Sequence, residues 1–205
     1  MNVYELKEKH PSRFDTEYQK WTEYAADYDW WEGTYDWYTE QMAEYGVRVD
    51  DIEFRGFYSQ GDYANWKGQI DDVKLFLEKT GGNLTQMPLY ALACEPMALW
   101  IGINNGWNYY KYTPSIDLGD LEYSRYVDSG EMTQGLWAGQ PMEEVAAMVD
   151  NDAVEEIISK WVKDQWSNLF KMLQEEYEGV ISEEAFIESC ECNEVEFDDD
   201  DDETD

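Results

Sequence analysis

A chain of 205 residues is long enough for one well-buried domain of ordinary size or at most two small ones. Its 47 Asp and Glu against 14 Lys and Arg leave a net charge of −33. A field of that sign repels DNA, RNA and anionic membranes over a Debye length of roughly 8 Å at physiological salt, which excludes direct nucleic-acid and membrane binding and favours basic protein surfaces. The charge is not confined to one end: residues 172–205 hold 16 acids and no Lys or Arg, so the preceding 171 residues still carry −17.

Ten Trp, 16 Tyr and seven Phe supply large apolar areas, so the chain needs no covalent staple to build a core. Cys94, Cys190 and Cys192 are odd in number and show no paired framework, which points to a reducing compartment and the cytosol. No apolar run reaches the roughly 20 residues that cross a bilayer. The longest, Leu89 to Ile103, is broken by Glu95 and Pro96, and the residues from Met1 to Lys7 lack the apolar stretch of a signal peptide.

From the N-terminus, Phe14, Tyr18, Trp21, Tyr24, Tyr28, Trp31, Tyr35, Tyr38, Met42 and Tyr45 recur in steps of three and four. This predicts a long helix, or two in line, over 14–45, with Asp15 or Thr16 as its cap, Gly33 as a kink and Gly46 as its left-handed stop. Glu23, Asp27, Asp29, Glu32, Asp36, Glu40 and Glu44 avoid the aromatic stripe. The last four stand four residues apart, about 6 Å along a helix axis, against roughly 3.4 Å between phosphates of one DNA strand. The same face also reads as ordinary solvated charge.

Past Gly46 the period becomes two. Val47, Val49, Ile52, Phe54 and Phe57 make a strand with one irregularity, Ala64, Trp66 and Ile70 line one face of a second, and Ser59-Gln60-Gly61-Asp62 forms the turn between them. Asp71 or Asp72 caps a short helix that stops at Thr80-Gly81-Gly82, and an apolar helix interrupted at Pro96 follows from about Leu84 to Ile103. A second hairpin is expected over 106–127, with Trp107, Tyr109, Tyr110 and Tyr112 before Pro114 and Leu121, Tyr123, Tyr126 and Val127 after Gly119. Pro141 opens a helix, Ala153 to Tyr177 forms the last long one with Glu175, Glu176 and Glu178 at its end, and Ser182 caps a short helix to Ser189. The prediction is thus one α+β domain over 1–193, its two hairpins forming an antiparallel sheet, with an acidic tail over 194–205 that is disordered from Asp198.

The run from Val49 to Asp62, with Gly56-Phe57-Tyr58-Ser59-Gln60-Gly61-Asp62 at its centre, resembles the core of a family of small acidic phage and prophage proteins. Ser182 to Phe197, with Glu183-Glu184-Ala185 and Asn193-Glu194-Val195-Glu196-Phe197, resembles that family's C-terminal part. Some of its members are labelled antitoxins. Where the family continues with Gly-Ala-Cys-Phe, this chain has Tyr63-Ala64-Asn65-Trp66. The resemblance implies a phage origin and a bacterial host cytoplasm, and supplies no catalytic residues.

Catalytic constellations are largely excluded by composition. His10 is the single histidine, Cys190-Glu191-Cys192 has no partner pair for zinc, and no Gly-rich phosphate loop is followed by Lys. Paired carboxylates are too numerous to be diagnostic, and Asp198 to Asp202 lacks the alternation of a calcium loop. No cofactor and no enzymatic activity are expected. The expected role is an inhibitor that mimics nucleic acid and occupies the basic groove of a host DNA-handling or defence protein. Its partner-binding residues would be the seven helix carboxylates, Ser59, Gln60 and Asp62 of the turn, and Glu175, Glu176 and Glu178. An antitoxin-like protein that neutralises a specific partner without imitating DNA and a carboxylate-metal enzyme are the alternatives, and both a monomer and a homodimer fit the stripe.

Overall fold

The computed structural model describes residues 1–81, 88–95, 99–108, 111–118 and 130–198. It is α+β, with eight helices and one four-stranded antiparallel sheet among the described residues. The chain divides into two compact units: Met1–Thr34 with Met172–Asp205, and Tyr35–Lys171.

The first unit is helical. Helix α1 (Val3–Lys9) begins with a capping box in which Asn2 and Glu5 satisfy each other's backbone N–H, and α2 (Pro11–Ala26) starts on proline, whose missing N–H is not needed there. Helix α8 (Glu183–Cys192) is capped by Ser182, whose Oγ accepts from the Ala185 N–H at 3.1 Å. Val3, Leu6, Phe14, Phe186 and Cys190 are buried together, with Tyr18 and Trp21 half-buried around them. Phe186 is the hub, its ring 5.5 Å from Phe14, 5.7 Å from Tyr18 and 5.6 Å from Trp21. The chain returns to its own start: the Phe197 N–H donates to the Met1 carbonyl at 2.9 Å, and the Met1 amino group donates to the Phe197 carbonyl at 2.6 Å. Residues 199–205, the rest of the expected tail, lie outside the described residues.

The second unit is built on the sheet, in the order β1 (Val47–Arg55), β2 (Tyr63–Ile70), β3 (Ile101–Asn108), β4 (Lys111–Asp117). Strands β1 and β2 pair from Val47 opposite Ile70 to Arg55 opposite Tyr63, with a bulge between Val49 and Asp51 that accounts for the irregular alternation. Gly68 is required here, since a Cβ would lie 2.1 Å from the Arg48 carbonyl oxygen. Helix α3 (Glu32–Ala43) precedes the sheet, and the turn that follows it closes at Gly46, whose φ of +73° is the predicted left-handed conformation. Helices α4 (Val73–Thr80, capped by Asp72), α5 (Pro88–Ala93) and α6 (Met142–Ala146) and the long α7 (Asn151–Val180) complete the set.

One hydrogen-bonded chain ties three elements of this unit together. Trp66 on β2 is fully buried, and its Nε1–H donates to the Tyr38 hydroxyl of α3 at 2.8 Å. That hydroxyl donates to the Gln165 carbonyl of α7 at 3.2 Å, while Trp166 Nε1–H donates to the Trp66 carbonyl at 3.2 Å. Each aromatic thus buries its body and satisfies its polar edge, the condition for placing Trp and Tyr in a core. Phe76 of α4 closes the layer, edge-on to Trp161 of α7 at 4.9 Å.

Several expectations are corrected. Residues 14–45 are two helices parted at Asp27 to Trp31, not at Gly33, and the first begins at Pro11 instead of Asp15 or Thr16. The apolar helix from Leu84 to Ile103 is the six-residue α5 followed by strand β3; Leu84 and Pro96 lie outside the described residues. A second hairpin exists, but it turns between Asn108 and Lys111, and Pro114 stands inside β4 opposite Asn105. Leu121, Tyr123, Tyr126 and Val127, expected as its second strand, lie outside the described residues, as do Tyr109 and Tyr110. Helix α7 runs past Gly179 to Val180, and α8 past Ser189 to Cys192.

Replacing Tyr38 by Phe keeps the ring and leaves Trp66 Nε1–H buried without an acceptor, so Y38F should lower unfolding free energy by about 1–3 kcal/mol in urea titration. Burial also pushes the Tyr38 hydroxyl well above its ordinary value, and burial with Asp51 and Glu53 nearby moves Tyr35 up to about 12. Both favour the neutral form in the fold, so the stability they contribute is complete below about pH 10, where unfolded Tyr titrates, and is lost as pH rises through the folded values. Alkaline unfolding followed by circular dichroism should therefore begin near pH 10 and start from a lower plateau in Y38F.

Candidate acidic interaction site

The first unit, though the smaller, carries most of the charge: 24 Asp and Glu against four Lys and Arg, compared with 23 against ten in the second. Among the described residues six of the 14 Lys and Arg enter ion pairs within the scaffold. Lys7 pairs with Glu183, Lys9 with Glu5, and Lys20 with Glu17. Arg48 holds Asp50 and Asp71, Lys67 holds Asp51 at 2.8 Å, and Lys74 reaches Glu78 at 3.9 Å. Glu23, Asp27, Asp29, Glu32, Asp36, Glu40 and Glu44 are all exposed, and among the described residues none of them enters an ion pair.

Local structure places these acids in two arrangements. Within α3, Glu32, Asp36 and Glu40 stand one turn apart, about 6 Å by helix rise, and Glu44 continues the step just past the helix end. Glu32 at the first turn suits the positive end of the helix dipole. In the first unit, α2 ends at Asp27, whose N–H donates to the Tyr24 carbonyl at 3.2 Å, and the chain turns through Asp29 and Trp30. The Trp30 ring then packs on Tyr177 near the end of α7, centroids 5.4 Å apart, and on Trp31 at 5.6 Å. That contact brings Asp27, Asp29 and Glu32 to the part of α7 that carries Glu175, Glu176 and Glu178, all exposed. Glu178 accepts from Gln174 Nε2 at 2.8 Å.

The aromatic stripe is not continuous core. Phe14, Tyr38 and Met42 are buried, but Tyr24 and Tyr28 are 79% and 74% exposed in the middle of the acidic stretch. Their signal in the sequence was local: each has an acid beside it, Glu23 before Tyr24 and Asp27 and Asp29 around Tyr28. Periodicity outweighed it and assigned both to the core face.

Ser59, Gln60 and Asp62 belong to the second unit. The Asp62 carboxylate accepts from both the backbone N–H and the Oγ of Ser59, which holds its carboxyl below the usual carboxylate range, and Gly61 adopts φ +102°. The turn therefore consumes the polar groups of Ser59 and Asp62 in bracing itself, and leaves the Gln60 side chain exposed.

A further carboxylate escaped the sequence reading. Glu95 is buried, and its two oxygens accept from the backbone N–H of Thr133 at 2.8 Å and its Oγ1 at 2.7 Å. It pins a loop whose 3-10 turn, Gly135–Trp137, holds Leu136 in water. In the sequence Glu95 reads as a break in the longest apolar run beside Pro96, with no sign of this partner 38 residues away. Among the described residues no three His, Cys, Asp or Glu side chains are grouped to hold a metal ion, and no helix is long and apolar enough to cross a membrane.

Fold and surface together define an α+β protein whose helices carry uncompensated carboxylates beside exposed tyrosines. The chain belongs to the family described as Domain of unknown function (DUF8835), whose model matches residues 30–183. No curated protein and no solved structure matches it.

Glu175, Glu176 and Glu178 sit at the negative end of the α7 dipole, where the last turn holds no basic residue. Changing all three to Gln should raise unfolding free energy by about 1 kcal/mol and reduce the gain in thermal midpoint that added salt gives the native chain, both measured by calorimetry.

Proposed function

We propose that this chain is a phage-encoded acidic inhibitor that works in the bacterial host cytoplasm by occupying the basic groove of a DNA-handling or defence protein. The observation that carries the reading is the row on α3 with the acids of the 27–32 turn: six exposed carboxylates held by helices and a packed turn, none of them in an ion pair among the described residues. A groove lined with Lys and Arg that has evolved to take phosphates would meet carboxylates at fixed intervals.

The row on α3 is about half as dense as one DNA strand, and the acids at the end of α7 are a separate fixed cluster within the first unit. The acids there work against their helix dipole, a cost to stability that a surface selected only for folding would avoid. Charge sets the rate of encounter, and exposed aromatics such as Tyr24, Tyr28 and the half-exposed Trp37 supply contacts that slow release.

The test is capture of host proteins on the immobilised chain at low and raised salt, followed by elution with duplex DNA. The captured partner should carry a basic nucleic-acid groove and leave with DNA. Its affinity should fall by more than about tenfold on raising salt, and by a similar factor in the variant D36N/E40Q/E44Q. A partner that resists both salt and DNA would replace this reading with antitoxin-like neutralisation through an apolar interface, and tight stoichiometric uptake of a divalent ion would favour carboxylate-metal chemistry.

A further inference from the structure

Helix α2 begins in the core and ends in water. Phe14 is buried at its first turns, Tyr18 and Trp21 are half-buried against Phe186, and Tyr24 and Tyr28 lie open. Among the described residues neither of those two rings packs on another ring, although Trp30 and Trp31 nearby do. Every charged residue from Glu23 to Glu32 is a carboxylate, and among the described residues none of these has an ion-pair partner.

The charge decides what can cover such a face. A second copy of the chain would bring another −33 against it, with like charges facing across the contact. A cationic partner is complementary, and the two cationic side chains differ in what these residues offer them. The lysine ammonium is a compact, strongly hydrated point charge. The arginine guanidinium is flat and weakly hydrated, stacks on an aromatic face, and matches a carboxylate with paired N–H donors. Phenol rings interleaved with carboxylates fit the second chemistry.

We infer that Tyr24 and Tyr28, with Glu23, Asp27 and Asp29 beside them, form an arginine-reading element: the rings take guanidinium groups face-on while the adjacent carboxylates accept their N–H donors. This rests on the reading of the protein as a ligand for basic surfaces, and adds to it a preference for arginine over lysine at one named place.

The experiment titrates the full chain with oligo-arginine and oligo-lysine peptides of equal length, following the tyrosine ring resonances by NMR at low and raised salt. Oligo-arginine should bind about tenfold more tightly, shift the Tyr24 and Tyr28 rings first, and keep more of its affinity as salt rises. The variant Y24A/Y28A alters only exposed rings, and should bind both peptides equally at the native chain's oligo-lysine level; E23Q/D27N/D29N should weaken both. Equal affinity of the native chain for the two peptides, or an arginine preference that survives Y24A/Y28A, would overturn the inference. The two proposals fail separately. Loss of the arginine preference with a DNA-displaced partner intact removes only the anchor, and an intact preference with a DNA-resistant partner removes only the mimicry.

Discussion

Fourteen cations cannot neutralise 47 carboxylates, and every feature of this fold works under that shortage. Self-repulsion of this size opposes compaction, so the apolar and aromatic interior must hold elements together that their surfaces push apart. Two of the cations stand where neighbouring backbone already forces acids close: Arg48 between Asp50 and Asp71, Lys67 against Asp51 across the β1–β2 pair. Among the described residues α3 and the 27–32 turn receive none, and there the acids are kept apart by helix rise and by the turn's packing instead of by counter-charge.

The interior meets the demand with aromatics, among which Trp66, Tyr38 and Trp166 each satisfy their polar edge. Trp66 connects α3 and α7 through Tyr38, Gln165 and Trp166, and Phe186 gathers Phe14, Tyr18 and Trp21 in the first unit. These contacts turn a charged chain into a charged surface. A solvated polyanion offers a cationic cleft many conformations and binds it at the cost of ordering them. Carboxylates on α3 have already been ordered by Tyr38 and Met42 on the opposite side of the same helix.

What could be read from the sequence followed from how strongly each segment was patterned. The β1–β2 hairpin and α7 were legible because period-two and period-three-four spacing of large apolar residues leaves little choice of element, and the Ser182 cap because one hydroxyl at one offset suffices. Leu89 to Ile103 misled because a continuous apolar run has no period to report: Leu89 and Leu92 are buried on a helix, and Ile101 and Ile103 in a central strand. Pro114 reads as a strand end in the sequence, yet β4 is the last strand of the sheet order, where the N–H that proline lacks is not required. The acids of the candidate site were visible as spacing, whereas the contact that gathers them, Trp30 on Tyr177, joins residues 147 positions apart and has no local signature. Tyr24 and Tyr28 were visible but assigned to the wrong side. The family match begins at residue 30, so both stand in the part of the chain that precedes it.

In the function proposed above, a basic groove takes hold of carboxylates fixed on the folded body and not of the terminal acids after Asp198. The most direct measurement is the slope of log affinity against log salt for the captured partner, compared between the full chain and a chain shortened to Asp198. The expected result is a steep slope that survives the shortening, with affinity kept within about twofold at any one salt concentration. A slope that collapses once the terminal acids are gone, or that is flat in the full chain, would contradict it.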